Sequence, residues 1–181
     1  SFFLSGVFLD EWILPSYTIA RILQGGHYLG NHSYNHQVLF DYDEAVTEIN
    51  NSAAYWKGAV GSSLKPVYRP PFGQHEIWMH QALVGSGYTE IVLGSFDSYD
   101  WAGEFAPNPK DMADCVVQKA EPGDIIGMHV GPMSTVEALP LIIDGLRARG
   151  FEVLTIEQLM AFGPPVLITE PEVKLCDEIL P

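Results

Sequence analysis

Short apolar runs alternate with segments whose apolar residues recur every three or four positions, from the first residue to about residue 162. The runs SFFLSG, HYLGN, PVYRPP, TEIVLGSF, DIIGMHV and FEVLTI read as strands. Between them, PSYTIARILQGG reads as a helix with Pro15 near its start and Gly25 near its stop. YDEAVTEINNSAAYWKGAVG repeats apolar residues at helical spacing and carries its acids early, where they favour the positive end of the helix dipole. HEIWMHQALVGSG, NPKDMADCVVQKA, STVEALPLIIDGLRARG and the short TIEQLMAFG complete the helices. Strand and helix in alternation, joined by short links, predict a parallel sheet with helical crossovers. The tail PPVLITEPEVKLCDEILP breaks the rhythm, and its prolines and acids predict an extended appendage packed on the outside.

Composition narrows this picture only a little. At 181 residues and 20.0 kDa the chain is one domain by length, with enough apolar residues for a substantial core. No apolar run reaches the ~18 residues that a membrane span needs. A formal charge of −14 argues against nucleic acid and anionic membrane surfaces as partners, because like charges repel. Two cysteines, Cys115 and Cys176, are too few for a disulfide framework and too far apart for a CxxC site; Cys115 reads as a small buried helical residue. Cysteine use therefore leaves the compartment open. SFFLSGVFLDEWILP lacks the basic start of a signal peptide, and the chain opens inside an apolar run as if cut from something longer.

The unusual polar residues are not scattered at random. HSYNH (32–36) follows the second predicted strand and places two histidines four apart, a spacing that would set both on one side of a helical turn and let them share a divalent cation. Two packing or solvent-facing histidines would give the same string. YRPPFG (68–73) follows the third strand: either a rigid turn with an exposed arginine, or a proline-locked loop holding Arg69 and a backbone N–H in place. DSYDW (97–101) follows the fourth, either as an acidic loop with a packed tryptophan or as a carboxylate that orients another side chain beside a flat face for a sugar ring. His129 ends the fifth strand, where a satisfied core histidine is also a common finding. All four fall at carboxyl ends of strands, the edge where α/β folds bind ligands.

In this order the strings resemble the polysaccharide deacetylase family (carbohydrate esterase family 4, the NodB homology domain). HSYNH matches its H-[ST]-x-x-H motif, RPPFG its R-x-P-x-G, DSYDW its D-x-x-D-W, and GDIIGMHVG its final strand ending in histidine. The resemblance covers residues 1–162, which it implies are a catalytic domain, with 163–181 as a C-terminal extension. It implies a distorted (β/α) barrel lacking its first strand, about six strands remaining. His32 and His36 become metal ligands, for zinc or cobalt, with Ser33 steadying the loop. Arg69 holds the catalytic base, the Phe72 N–H faces the oxyanion, Asp100 orients His129 as general acid with Asp97 as the alternative partner, and Trp101 lines a sugar groove.

Two departures accompany the match. The family's first motif, a T-F-D-D type string supplying the base and a third metal ligand, would precede SFFLSG by some twenty to thirty residues. Gly127 and Val130 replace the leucine and acid usual around the last histidine. The implied function is metal-dependent removal of N-acetyl or O-acetyl groups from a polysaccharide such as chitin or peptidoglycan, in a secreted or envelope protein, with these 181 residues inactive or nearly so by themselves. A non-catalytic sugar-binding relative and a hydrolase of other non-peptide carbon–nitrogen bonds are the alternatives. The open edge left by the absent strand predicts association, or closure by the apolar PPVLITEP stretch.

Overall fold

A computed structural model describes residues 1–7, 16–61, 64–163 and 173–176. They form two compact units, Ser1–Leu93 and Gly94–Pro181. Pro15 and the PPVLITEP stretch lie outside the described residues.

The first unit holds a four-stranded parallel sheet in the order β1-β2-β3-β4: β1 Phe2–Leu4, β2 Leu29–Asn31, β3 Val67–Tyr68 and β4 Glu90–Ile91. Helices α1 (Ser16–Gln24), α2 (Tyr42–Val60) and α3 (Ile77–Gly85) make the crossovers. Asp41 starts α2 by accepting the Glu44 N–H, and Gly61 ends it with φ 71°, a left-handed cap that glycine adopts without a Cβ clash. Ala45, Ile49, Ser52 and Trp56 recur three or four apart along α2 and all are buried, so helical spacing becomes one core-facing stripe. One end of the stripe packs with Leu39, Tyr68, Met79 and Leu83; the other, at Trp56, packs with Leu4, Ile19 and Leu29.

The second unit holds a parallel sheet in the order β6-β5-β7, from β5 Phe96–Asp97, β6 Ile126–Gly127 and β7 Lys174–Leu175. Helices α4 (Pro109–Lys119) and α5 (Met133–Ala148) share a core with Phe96. Met112, Cys115 and Val116 face Ala138, Ile142 and Leu146 there. A short α6, Ile156–Met160, opens with a capping box between Thr155 and Gln158.

The architecture is the α/β fold expected of the family, but the described strands make two open parallel sheets and not one closed ring. Three strand expectations need correction. TEIVLGSF is two short strands, because the chain changes partners: Val92 N–H still bonds the Tyr68 carbonyl, whereas Ser95 N–H bonds that of Ile125. FEVLTI forms no strand; Phe151 N–H turns back to the Leu146 carbonyl and Thr155 caps α6. The tail contributes β7, so the described residues hold seven short strands where about six were expected.

Cys115 is a buried helical residue as expected, but the sequence did not show that it is paired. Cys115 and Cys176 form a disulfide with Cα atoms 6.0 Å apart, across 61 positions of sequence. Distance along the chain places no limit on proximity once α4 and β7 flank the same strand. Beside the disulfide, Lys174 Nζ bonds Asp124 at 2.9 Å and Glu121 at 2.6 Å, and Lys119 Nζ bonds the Leu175 carbonyl at 2.9 Å.

Candidate active site

In the first unit, β2 delivers the chain into HSYNH and β3 delivers it into RPPFG. Parallel pairing brings these strand ends together: Arg69 N–H donates to the Asn31 carbonyl at 3.0 Å. His32 is buried, and its Nδ1 lies 2.5 Å from the Arg69 carbonyl oxygen. A carbonyl only accepts, so Nδ1 carries the proton and the lone pair resides on Nε2. That is the tautomer a metal-ligating histidine needs, fixed by a backbone acceptor behind the ring.

His36 sits with its ring 4.8 Å from that of His32, edge to face. The pair does not lie on a helical turn, as the four-residue spacing suggested. The chain bends instead, with φ +66° at Ser33 and +53° at His36, and the Ser33 hydroxyl accepts the His36 N–H at 3.0 Å. The Phe72 ring stands 5.1 Å from His36 and is exposed. Phe72 itself is held at φ +57° in a single turn, Pro71–Gly73, behind Pro70. The donor set suits a divalent cation as far as it goes: two imidazoles, one with its tautomer set. Among the described residues no third His, Cys, Asp or Glu joins them.

In the second unit, β5 feeds DSYDW and β6 feeds His129. Asp100 is buried and accepts three hydrogen bonds: His129 Nδ1 at 2.8 Å on Oδ1, and His129 N–H at 2.6 Å and Thr135 Oγ1 at 2.7 Å on Oδ2. Burial alone would raise the Asp100 carboxyl, but the His129 and Thr135 bonds together outweigh it and hold it below its ordinary value. The ionised carboxylate fixes Nδ1–H on His129, whose half-exposed ring presents Nε2. Asp97 is engaged differently. Trp101 Nε1 reaches both its oxygens at 3.2 Å, and Tyr99 N–H donates to it at 2.8 Å. Trp101, exposed, stacks on Tyr99 with ring centroids 5.5 Å apart.

The described non-glycine residues with positive φ are Ser33, His36, Phe72 and Tyr99, and every one lies in these strings. Each costs roughly 1 kcal/mol or more, a strain that concentrates at functional segments. Sequence reasoning passed over three buried polar side chains behind the loops: Asn31, Glu48 and Thr135. Only their position on otherwise apolar faces could have flagged them; Glu48 sits beside Ile49 on the inner stripe of α2, and Thr135 starts that of α5.

These strings define a class. The sequence profile described as Polysaccharide deacetylase matches residues 1–91, and the chain belongs to that family. Among its relatives, a peptidoglycan-N-acetylglucosamine deacetylase of Bacillus cereus is 29% identical over 153 residues, 81% of this chain and 69% of that protein. A chitooligosaccharide deacetylase of Azorhizobium caulinodans is 29% identical, covering 83% of this chain and 76% of that one. Among solved structures, a CE4 family pseudoenzyme from Bacillus anthracis superposes with TM-score 0.76 at 26% identity, over 88% of this chain and 54% of its own. The peptidoglycan deacetylase PdaC of Bacillus subtilis gives the same TM-score and identity, over 75% of its own chain.

Proposed function

We propose that this protein is a metal-dependent deacetylase that removes acetyl groups, N-acetyl before O-acetyl, from a polysaccharide of the peptidoglycan or chitin type. Residues 1–162 form its catalytic domain and 163–181 an extension secured by the disulfide. One observation carries the reading: two histidines in different strings each have Nδ1 tied to an oxygen, which makes Nε2 the nitrogen that would act in each. His32 does so as a ligand and His129 as an acid.

A divalent cation held by His32 and His36, zinc or cobalt, would polarise the acetyl carbonyl and acidify a water. The Phe72 N–H, on its proline-stiffened turn, donates to the oxygen that gains negative charge. Arg69 holds the carboxylate base in its working orientation. His129 delivers the proton to the departing amine from Nε2, and Asp100 favours the charged imidazolium needed to do so. Trp101, anchored by Asp97, offers its exposed face to a sugar ring. The two-histidine set is short of the three protein ligands usual in catalytic zinc sites. The 181 residues by themselves are therefore proposed to bind metal weakly and turn over little. The disulfide supports an oxidising location, secreted or at the cell envelope. Among the described residues no helix is long and apolar enough to cross a membrane.

The test is acetate release from chitooligosaccharide and peptidoglycan fragments with added zinc or cobalt. It compares the chain as it stands with a form extended upstream through a T-F-D-D type string. The extended form should be active, and His129→Ala should lower its turnover about 10²–10⁴-fold. No acetate release from the extended form, with sugar binding retained, would support the non-catalytic reading instead.

A further inference from the structure

The loop between the two histidines is held from behind by a carboxylate to which the proposed chemistry gives no part. All four backbone N–H groups of residues 33–36 end on side-chain oxygens. Ser33 N–H donates to Asn31 Oδ1 at 3.0 Å, and His36 N–H to Ser33 Oγ at 3.0 Å. Tyr34 and Asn35 both donate to Glu48 Oε2, at 3.1 and 2.7 Å, while Asn35 Nδ2 donates to Glu48 Oε1 at 2.6 Å. Glu48 is 3% exposed, on the same face of α2 as the fully buried Ala45 and Ile49.

A carboxylate is costly to bury unless its charge is met. Three N–H groups of one loop meet this one, and they can do so only in the bent conformation that puts Ser33 and His36 at positive φ. Without such anchors, a five-residue segment with two strained residues would relax toward extended backbone and separate the imidazoles. We infer that Glu48 is a positioning residue of the two-histidine site: its buried carboxylate, with Asn31, clamps the strained loop so that His32 and His36 stay paired. The consequence for metal rests on the metal reading above; the clamp itself does not. Outer groups that orient metal ligands typically change affinity about 10- to 100-fold, which sets the size of the effect.

The test uses the 181-residue chain, with Glu48→Gln and Glu48→Ala, and Asp43→Asn on the exposed first turn of α2 as a control for net charge. In the unsubstituted chain the Tyr34 and Asn35 amides should exchange with deuterium as slowly as the core amides of α2. In both Glu48 variants that protection should fall at least tenfold relative to α2, and the ring-to-ring nuclear Overhauser contacts between His32 and His36 should weaken. Zinc titration should show affinity lowered about tenfold or more, with Asp43→Asn like the parent. The inference is overturned by rapid exchange of Tyr34 and Asn35 in the parent. It is equally overturned by folded Glu48 variants that keep loop protection and ring contacts, or lose them while binding zinc as before. If the parent binds no zinc, the metal reading fails, and amide exchange and ring contacts alone decide the clamp.

Discussion

Removing the Cys115–Cys176 disulfide tests how the second unit is held together. The bridge spans 61 positions, and the loop-closure relation converts that length into about 4 kcal/mol of lost unfolded-chain entropy. Both cysteines are buried, so Cys115→Ala/Cys176→Ala also loses two packed sulfurs, a smaller cost. For a chain of this size about 4 kcal/mol corresponds to a fall of roughly 10 °C in Tm. Differential scanning calorimetry of the oxidised protein and the double variant measures it. Hydrogen exchange adds a local check: the Lys174 amide, bonded to the Ser95 carbonyl at 2.9 Å, should lose protection as β7 detaches. Titration of two thiols in the native, unreduced protein would refute the premise. An unchanged Tm with the thiols absent would show that β7 pairing and the Lys174 ion pairs hold the segment without the bridge.

Further expectations concern single groups. Asp100 is held below its ordinary pKa, so its stabilising contribution is fully present above its unfolded value near pH 4 and is lost as pH falls through the folded value. Asp100→Asn should flatten the stability-versus-pH curve below about pH 4 without abolishing its slope, since Asp124 is depressed too; an identical acid limb would refute this. Thr135→Val should cost about 1–3 kcal/mol by leaving a buried carboxylate oxygen short of a donor, and Thr135→Ser should recover most of it in urea unfolding. Gly6→Ala would place a Cβ 2.1 Å from Tyr34 Cδ2, so it should destabilise by about 1–3 kcal/mol. A Gly6→Ala midpoint equal to that of the parent would mean that the ring moves aside without cost.

The sequence by itself determined the local features. Helical periodicity located α2, α4 and α5, since a buried face must recur with the helix turn whatever it packs against. The order of HSYNH, RPPFG, DSYDW and the strand before His129 identified the family, because the residue types are legible wherever they fall in space. Tertiary structure alone decided the rest. TEIVLGSF split because Tyr68 and Ile125 supply different carbonyl partners along one run. Cys115 met Cys176 because α4 and β7 share a strand as neighbour; the Asp100–His129 pair was implied by the resemblance, and the fold added that Asp97 is taken by Trp101 and Tyr99. The imidazole pair came from a bend and not a helical turn, and that bend is written in Asn31 and Glu48. A hydrogen bond depends on a separation of about 3 Å between donor and acceptor, and sequence spacing says nothing about that distance until the chain has folded.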